Sequence, residues 1–149
     1  MPKASLKKKI NCSKENLIKM VLDIEKYPEF IPWCLNGKVH SIEEKKGEIE
    51  IIADLTIGKS FFKETYKSFV VYNKKESQIL VKNIDGPLKF LENKWFFKEL
   101  GKNSEIDFHI NFELKNKILN IIMDKSFDIG LKKIAEAFEK RAIDLFKRT

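Results

Sequence analysis

Between Ile106 and Leu114 apolar and polar residues alternate without a fault: Ile106, Phe108, Ile110, Phe112 and Leu114 against Asp107, His109, Asn111 and Glu113. A period of two means a strand with one face in a core and the other in water. From about Asn116 the period becomes 3.6. It stays so to the end, with Phe127, Leu131, Ile134, Phe138, Ala142 and Leu145 on one stripe and Lys132, Lys133, Glu136, Glu139, Lys140 and Arg141 outside it. A chain with that switch has to lay one long amphipathic helix on an apolar sheet face, because neither surface is stable in water alone.

Upstream the alternation recurs. Ile49, Ile51, Ala53, Leu55 and Ile57 share a face, with Ile52 the exception, and Gly58-Lys59-Ser60 turns the chain. Residues 61–72 form the next strand, with ambiguous faces: Phe62, Tyr66, Val70 and Tyr72 compete with Phe61, Phe69 and Val71. A short strand at 79–84, the tight turn Asp85-Gly86-Pro87 and a strand at 88–100 follow, the last with Leu91, Trp95 and Phe97 opposite Phe90 and Phe96. Val39 and Ile42 lie in another strand, which ends in a turn at 43–47. Near the N-terminus, residues 5–11 suit an edge strand protected by lysine. Ser13 then caps a helix whose apolar face is Leu17, Ile18, Val21 and Leu22. Strands joined by short turns make an antiparallel meander, so the expected class is α+β, a curved sheet gripping a C-terminal helix. One helix cannot fill a broad curved sheet evenly, and an apolar space between them is expected.

Length and charge limit the alternatives. The 149 residues are expected to form a single domain over 1–149. No apolar run approaches the ~20 residues of a membrane span, and Lys7-Lys8-Lys9 stands where a secretion signal would need its apolar region, which predicts a cytoplasmic protein. Cys12 and Cys34 have no metal-site spacing and read as packed free thiols, with no metal expected. The net charge of +7 rests almost wholly on scattered lysines. Lysine offers no planar, bidentate reading of bases, so no sequence-specific nucleic-acid partner is expected. Attraction to polyanions, whether ribosomal RNA or an anionic membrane surface, remains open.

Between helix and strand lies Tyr27-Pro28-Glu29-Phe30-Ile31-Pro32-Trp33-Cys34. Two prolines predict a rigid loop that is neither helix nor strand, with Tyr27 and Ile31 extended. Its apolar side chains, Tyr27, Phe30, Ile31 and Trp33, either plug one end of the core or line the mouth of a cavity. Catalytic signals are weak by comparison. His40 and His109 are far apart, Asp23, Glu25 and Glu29 suit helix-end and loop charge, and no nucleophile or phosphate-loop motif occurs. A non-enzyme is expected.

The loop, then Asp85-Gly86-Pro87 leading into Leu91-Glu92-Asn93-Lys94-Trp95-Phe96-Phe97, then Phe112-Glu113-Leu114-Lys115-Asn116, then Ala137-Phe138-Glu139-Lys140-Arg141-Ala142, resemble in this order the coenzyme Q-binding START-domain family, a polyketide cyclase/dehydrase-like group. The chain departs from that pattern at Leu88, Phe90, Phe96 and Lys117, most of which make the Leu88–Leu100 strand more apolar. The resemblance implies a START-like helix-grip fold. It also implies an apolar site for ubiquinone or a related prenyl lipid, supporting respiration and quinone biosynthesis, with the lipid a bound ligand and no cofactor. The residues expected to line it are Tyr27, Phe30, Ile31 and Trp33 at the mouth, Trp95 and Phe97 on the sheet, and Phe127, Leu131 and Phe138 on the helix; each is equally a candidate for ordinary core. Because the family includes a ribosome association toxin, the alternative is a toxin that binds the large ribosomal subunit and blocks subunit association. A peripheral place at the inner face of the membrane is compatible with the first reading.

Overall fold

The computed structural model describes residues 3–59, 62–86 and 88–146; for Lys59, Phe62, Asp85 and residues 119–128 the description is of the backbone alone. Seven strands, β1 (Lys3–Ile10), β2 (Cys34–Lys45), β3 (Glu48–Lys59), β4 (Phe62–Asn73), β5 (Gln78–Asp85), β6 (Leu88–Leu100) and β7 (Asn103–Leu114), form one curved antiparallel sheet. Their order is β1-β7-β6-β5-β4-β3-β2. The meander is therefore as expected from β2 to β7, and β1 joins it by pairing with β7 from Lys3↔Asn111 to Ile10↔Ser104. That leaves β1 and β2 as the edges. Two α-helices, α1 (Lys14–Leu22) and α2 (Lys117–Leu145), cover the concave face, giving the α+β helix-grip architecture.

Directly opposed residues share a face, so the register shows which side chains point inward. Leu55↔Tyr66, Ala53↔Ser68 and Ile51↔Val70 settle the ambiguous strand in favour of Tyr66, Ser68, Val70 and Tyr72. Ile79↔Trp95 and Trp95↔Phe108 carry the same face across the sheet to Leu6. Phe90 and Phe96 point outward and are half exposed, as the alternation predicts. The concave face carries two apolar clusters. The larger holds Ile51, Val70, Ile79, Trp95, Phe97, Ile106 and Phe108 with α1 and α2. The smaller holds Leu88, Leu91, Phe112 and Leu114, against which Tyr66 packs.

Helix α1 begins where expected, Ser13 Oγ accepting the Asn16 N–H at 3.2 Å, and buries Leu17, Ile18, Met20 and Val21. On α2, Leu131, Phe138 and Ala142 are buried and Ile134 is half-buried. Leu145 departs from the expected stripe. It is 51% exposed, and Phe146 packs on the core in its place, since a stripe followed in steps of four from Phe138 through Ala142 arrives there.

The aromatic segment needs correction. Ile24–Glu29 is a 3-10 helix with Pro28 inside it, so Tyr27 is not in an extended stretch. Pro28 has no N–H to lose at the start of a tight turn, and the Tyr27 carbonyl accepts from the N–H groups of Phe30 (3.2 Å) and Ile31 (2.9 Å). This helix lies on β2 at Gly37, where a Cβ would collide with the backbone carbonyl of Ile24. Glu25 accepts the N–H of Val39 at 3.0 Å, covering part of an open sheet edge. The turn after β2 is also shorter than expected, the strand running to Lys45.

Candidate ligand-binding site

Phe138, midway along the C-terminal half of α2, joins the expected site residues. Its buried ring meets Phe30 at 5.2 Å, Trp95 at 5.3 Å and Tyr27 at 6.0 Å between centroids, each edge to face. Trp95 continues to Phe108 at 4.5 Å and stacks on Phe97 at 6.1 Å. Loop, helix and sheet are thus bridged by one aromatic network, whose pairs contribute about 0.5–1.5 kcal/mol each beyond their burial. Leu131 lies two helical turns before Phe138 and is also buried. Phe127 lies in α2, but its side chain is outside the described residues.

Tyr27, Phe30, Ile31 and Trp33 are all half-buried, so the segment is neither a full plug nor a bare lip. The Tyr27 hydroxyl donates to the Val21 carbonyl, and burial pushes its phenol far above the ordinary value. Phe30 is held from outside: the Arg141 guanidinium lies 5.1 Å from its centroid and donates through Nη2 to Glu29 Oε1 at 2.7 Å. The bond from Arg141, with the nearby charge of Lys26, keeps the Glu29 carboxyl below the usual carboxylate range. Arg141 Nε is buried with no hydrogen-bond partner. Trp33 packs on α2. Its ring lies over Gly130 of α2, where an added Cβ would come within 3.4 Å, and its φ of 65° is unusual for so bulky a residue. Its carbonyl accepts the Gly58 N–H at 2.9 Å, which fixes the start of β2 against β3.

A cavity of about 30 Å³ lies between the sheet and α2. Trp95, Leu131 and Phe138 are in its wall, together with Leu6, Lys8 and Ile10 of β1, Ile106 and Phe108 of β7, and Ile134 and Ala135 of α2. The loop residues Tyr27, Phe30, Ile31 and Trp33 are not in its wall. The space holds only a few water molecules, so a lipid tail fits among the described side chains only if they move.

Sequence reasoning missed three features. Lys8 faces inward on β1 and pairs with Glu139 of α2 at 3.3 Å. Asn93 also faces inward, opposite Val81 and Ile110 and between Leu91 and Trp95, where the two apolar clusters meet. Its Oδ1 is buried without a hydrogen bond. The period-two pattern of β6 carried this signal, since Asn93 has the parity of Leu91 and Trp95. The third is the inward Tyr66, whose phenol is raised by burial and then by Cys34. Cys34 and Cys12 are both free and buried, and burial pushes the Cys34 thiol up to about 11. His40 and His109 face solvent in exposed pairs with Asp54 (2.8 Å) and Asp107 (3.0 Å). Among the described residues no helix is long and apolar enough to cross a membrane, and no three His, Cys, Asp or Glu side chains cluster as a metal site would require.

An apolar interior gripped between a curved sheet and a long helix is the arrangement of START-like proteins that hold hydrophobic molecules. The chain belongs to the family described as polyketide cyclase / dehydrase and lipid transport, which it matches over residues 11–139. It is 32% identical over 136 residues to the ribosome association toxin RatA of Rickettsia prowazekii, covering 89% of this chain and 90% of that protein. It is 30% identical over 131 residues to the mitochondrial coenzyme Q-binding protein COQ10 of Dictyostelium discoideum, covering 85% of this chain and 62% of that one. The solution structure of the 18 kDa protein CC1736 from Caulobacter crescentus superposes with a TM-score of 0.82 at 26% identity, over 99% of this chain and 100% of the other.

Proposed function

We propose that the protein binds ubiquinone or a related prenyl lipid between α2 and the concave face of the sheet, and carries or presents it without transforming it. The observation that carries this reading is the Phe138-centred aromatic network beside an apolar cavity in whose described wall Lys8 is the one charged side chain. The relative named for coenzyme Q binding supports the choice of ligand. An apolar ligand needs few polar contacts: each buried CH₂ contributes ~0.8 kcal/mol, so one five-carbon isoprenoid unit contributes about 3–4 kcal/mol before entropic costs. The family description also includes cyclases and dehydrases, which act on substrates. Lys8, the charged side chain of the described wall, is held in an ion pair with Glu139 at the solvent side, and the rest of that wall is apolar, which supports binding over catalysis. The same reading places the protein in the cytoplasm, peripherally at the membrane from which the lipid comes. To test it, the protein is purified from a quinone-containing host and extracted with organic solvent, and the extract is analysed by mass spectrometry. Quinone in the extract is the expected result; its absence, together with no binding of added quinone, refutes the reading.

A second reading has its own support in the 32% identity to a ribosome association toxin and in the net charge of +7. Under it the protein binds the large ribosomal subunit and blocks subunit association. Sedimentation of ribosomes with added protein separates the two. Comigration with the large subunit and loss of assembled ribosomes at moderate salt are required, and protein left at the top of the gradient removes this reading.

A further inference from the structure

The exposure of the cavity's wall shows where it meets solvent. Ile10, Trp95, Ile106, Phe108, Leu131 and Phe138 are buried. The half-exposed members, Leu6, Lys8, Ile134 and Ala135, all lie on β1 or α2, along one seam. At that seam β1 is a sheet edge, so no further strand stands outside it. Lys8 is the side chain that touches both sides. Its stem is part of the cavity wall, while the side chain as a whole keeps 30% of its surface in water and its ammonium reaches Glu139 across the seam at 3.3 Å.

We propose that the β1–α2 seam is the door through which an apolar ligand reaches the interior, and that the Lys8–Glu139 ion pair is its latch. This rests on the reading of the interior as a lipid site, and it moves the entrance away from the aromatic segment. The two candidate entrances differ in what must be broken. At the aromatic segment, entry has to part Phe30 and Tyr27 from Phe138, the Arg141 guanidinium from the Phe30 face, and the Arg141–Glu29 hydrogen bond. At the seam, the described polar contact is one partly exposed ion pair between two long, flexible side chains, and such pairs hold weakly. Swinging Lys8 and Glu139 into water exposes Leu6 and Ala135 while the β1–β7 ladder remains paired. An exposed pair is also screened by salt, so the latch loosens as ionic strength rises.

The test uses the full chain with Trp33 replaced by phenylalanine, which leaves Trp95, in the cavity wall, as the remaining tryptophan. Decylubiquinone is mixed in by stopped flow, and quenching of Trp95 reports arrival. Removing the latch by Glu139→Gln or Lys8→Met is expected to raise the loading rate at least threefold and to abolish its salt dependence, whereas Glu29→Gln changes it less than twofold. In parallel, Ala135→Cys is labelled with monobromobimane, against a background protein holding only the buried Cys12 and Cys34. Its labelling is expected to quicken at least threefold in the latch variants. Loading or labelling that responds to Glu29→Gln and not to the latch variants overturns the proposal. So does labelling unchanged when the latch is removed. Quickened labelling with no quenching in any variant upholds the seam as the opening while removing the quinone reading, so the two failures are distinguishable.

Discussion

Replacing Phe138 by alanine is expected to cost about 4–5 kcal/mol, the upper half of the range for truncating a buried phenylalanine. Two features place it there. The ring is 4% exposed and makes three edge-to-face contacts, and the hole it leaves opens onto the existing cavity of about 30 Å³, so the neighbours cannot close it. With a urea slope of ~2 kcal/mol/M the midpoint falls by about 2 M, and Tm by about 10–15 °C. Phe30→Ala alone, at a half-buried site, costs roughly half as much. The decisive quantity is the coupling. If Phe30 packs on Phe138 at 5.2 Å as described, the double variant costs less than the sum of the singles by about 0.5–1.5 kcal/mol. The assay is urea unfolding of protein refolded without lipid, because bound ligand would add its own stabilisation by mass action. Additivity to within ~0.3 kcal/mol, or a loss below ~2 kcal/mol for Phe138→Ala, refutes the view that the aromatic segment is joined to the core through this ring.

Three other outcomes follow from the geometry. Gly37→Ala drives a methyl into the Ile24 carbonyl and is expected to cost ~3 kcal/mol, with hydrogen exchange of the Val39 amide quickening as the 3-10 helix lifts off β2; an unchanged amide refutes the contact. Asn93→Leu removes a buried, unpaired acceptor, so protein freed of lipid is expected to gain ~1 kcal/mol in urea; lower stability would mean that the amide is already satisfied. Because the Glu29 carboxyl is held below its ordinary range in the folded state, the clamp's contribution is fully present above the ordinary carboxylate pKa and disappears as pH falls through the folded value. The Tm difference between wild type and Glu29→Gln should therefore be constant from about pH 6 to 8 and shrink below about pH 4; a difference that persists in acid contradicts this assignment.

The sheet was legible because one buried face imposes a period of two, which β7 carries through to Leu114 and β6 carries from Leu91 to Phe97. The Ser13 cap and the α2 stripe were legible for the same kind of reason, since each is a local rule tied to a repeat. What sequence did not show is where independent elements meet. Lys8 sits in a lysine-rich edge strand, and although its parity with Leu6 and Ile10 marks the inward face, nothing local shows that its ammonium meets Glu139 of α2. The turn at Tyr27-Pro28 was misread because a proline rule that forbids the middle of a helix permits the start of a 3-10 turn. Trp33 and Gly130 come together only in three dimensions, and no short-range pattern relates a left-handed tryptophan to a helical glycine so far along the chain.

Cavity size and ring contacts together bear on which lipids can bind. Among the described residues the cavity is small and is walled by the rings that would line the site, so a ligand seated there has to replace protein–protein contacts. Whatever the route of entry, seating a tail in the space now held by Phe138 then turns that ring away from its three partners, at about 1.5–4.5 kcal/mol for 0.5–1.5 kcal/mol each. One isoprenoid unit returns about 3–4 kcal/mol, which roughly offsets that opening and leaves nothing against the cost of immobilising the ligand. Further units enter a space already opened. Affinity is therefore expected to be weak for a benzoquinone with no tail or one unit, and to rise steeply with the second and third. Phe138→Ala should remove the threshold, because the opening cost is then absent, and bring the one-unit quinone closer to the longer ones. Titration of Trp95 fluorescence with quinones of zero to three units, in both proteins, measures this directly. Affinity that rises by equal steps from the first unit in wild type would mean that the tail lies elsewhere, outside the space now filled by Phe138.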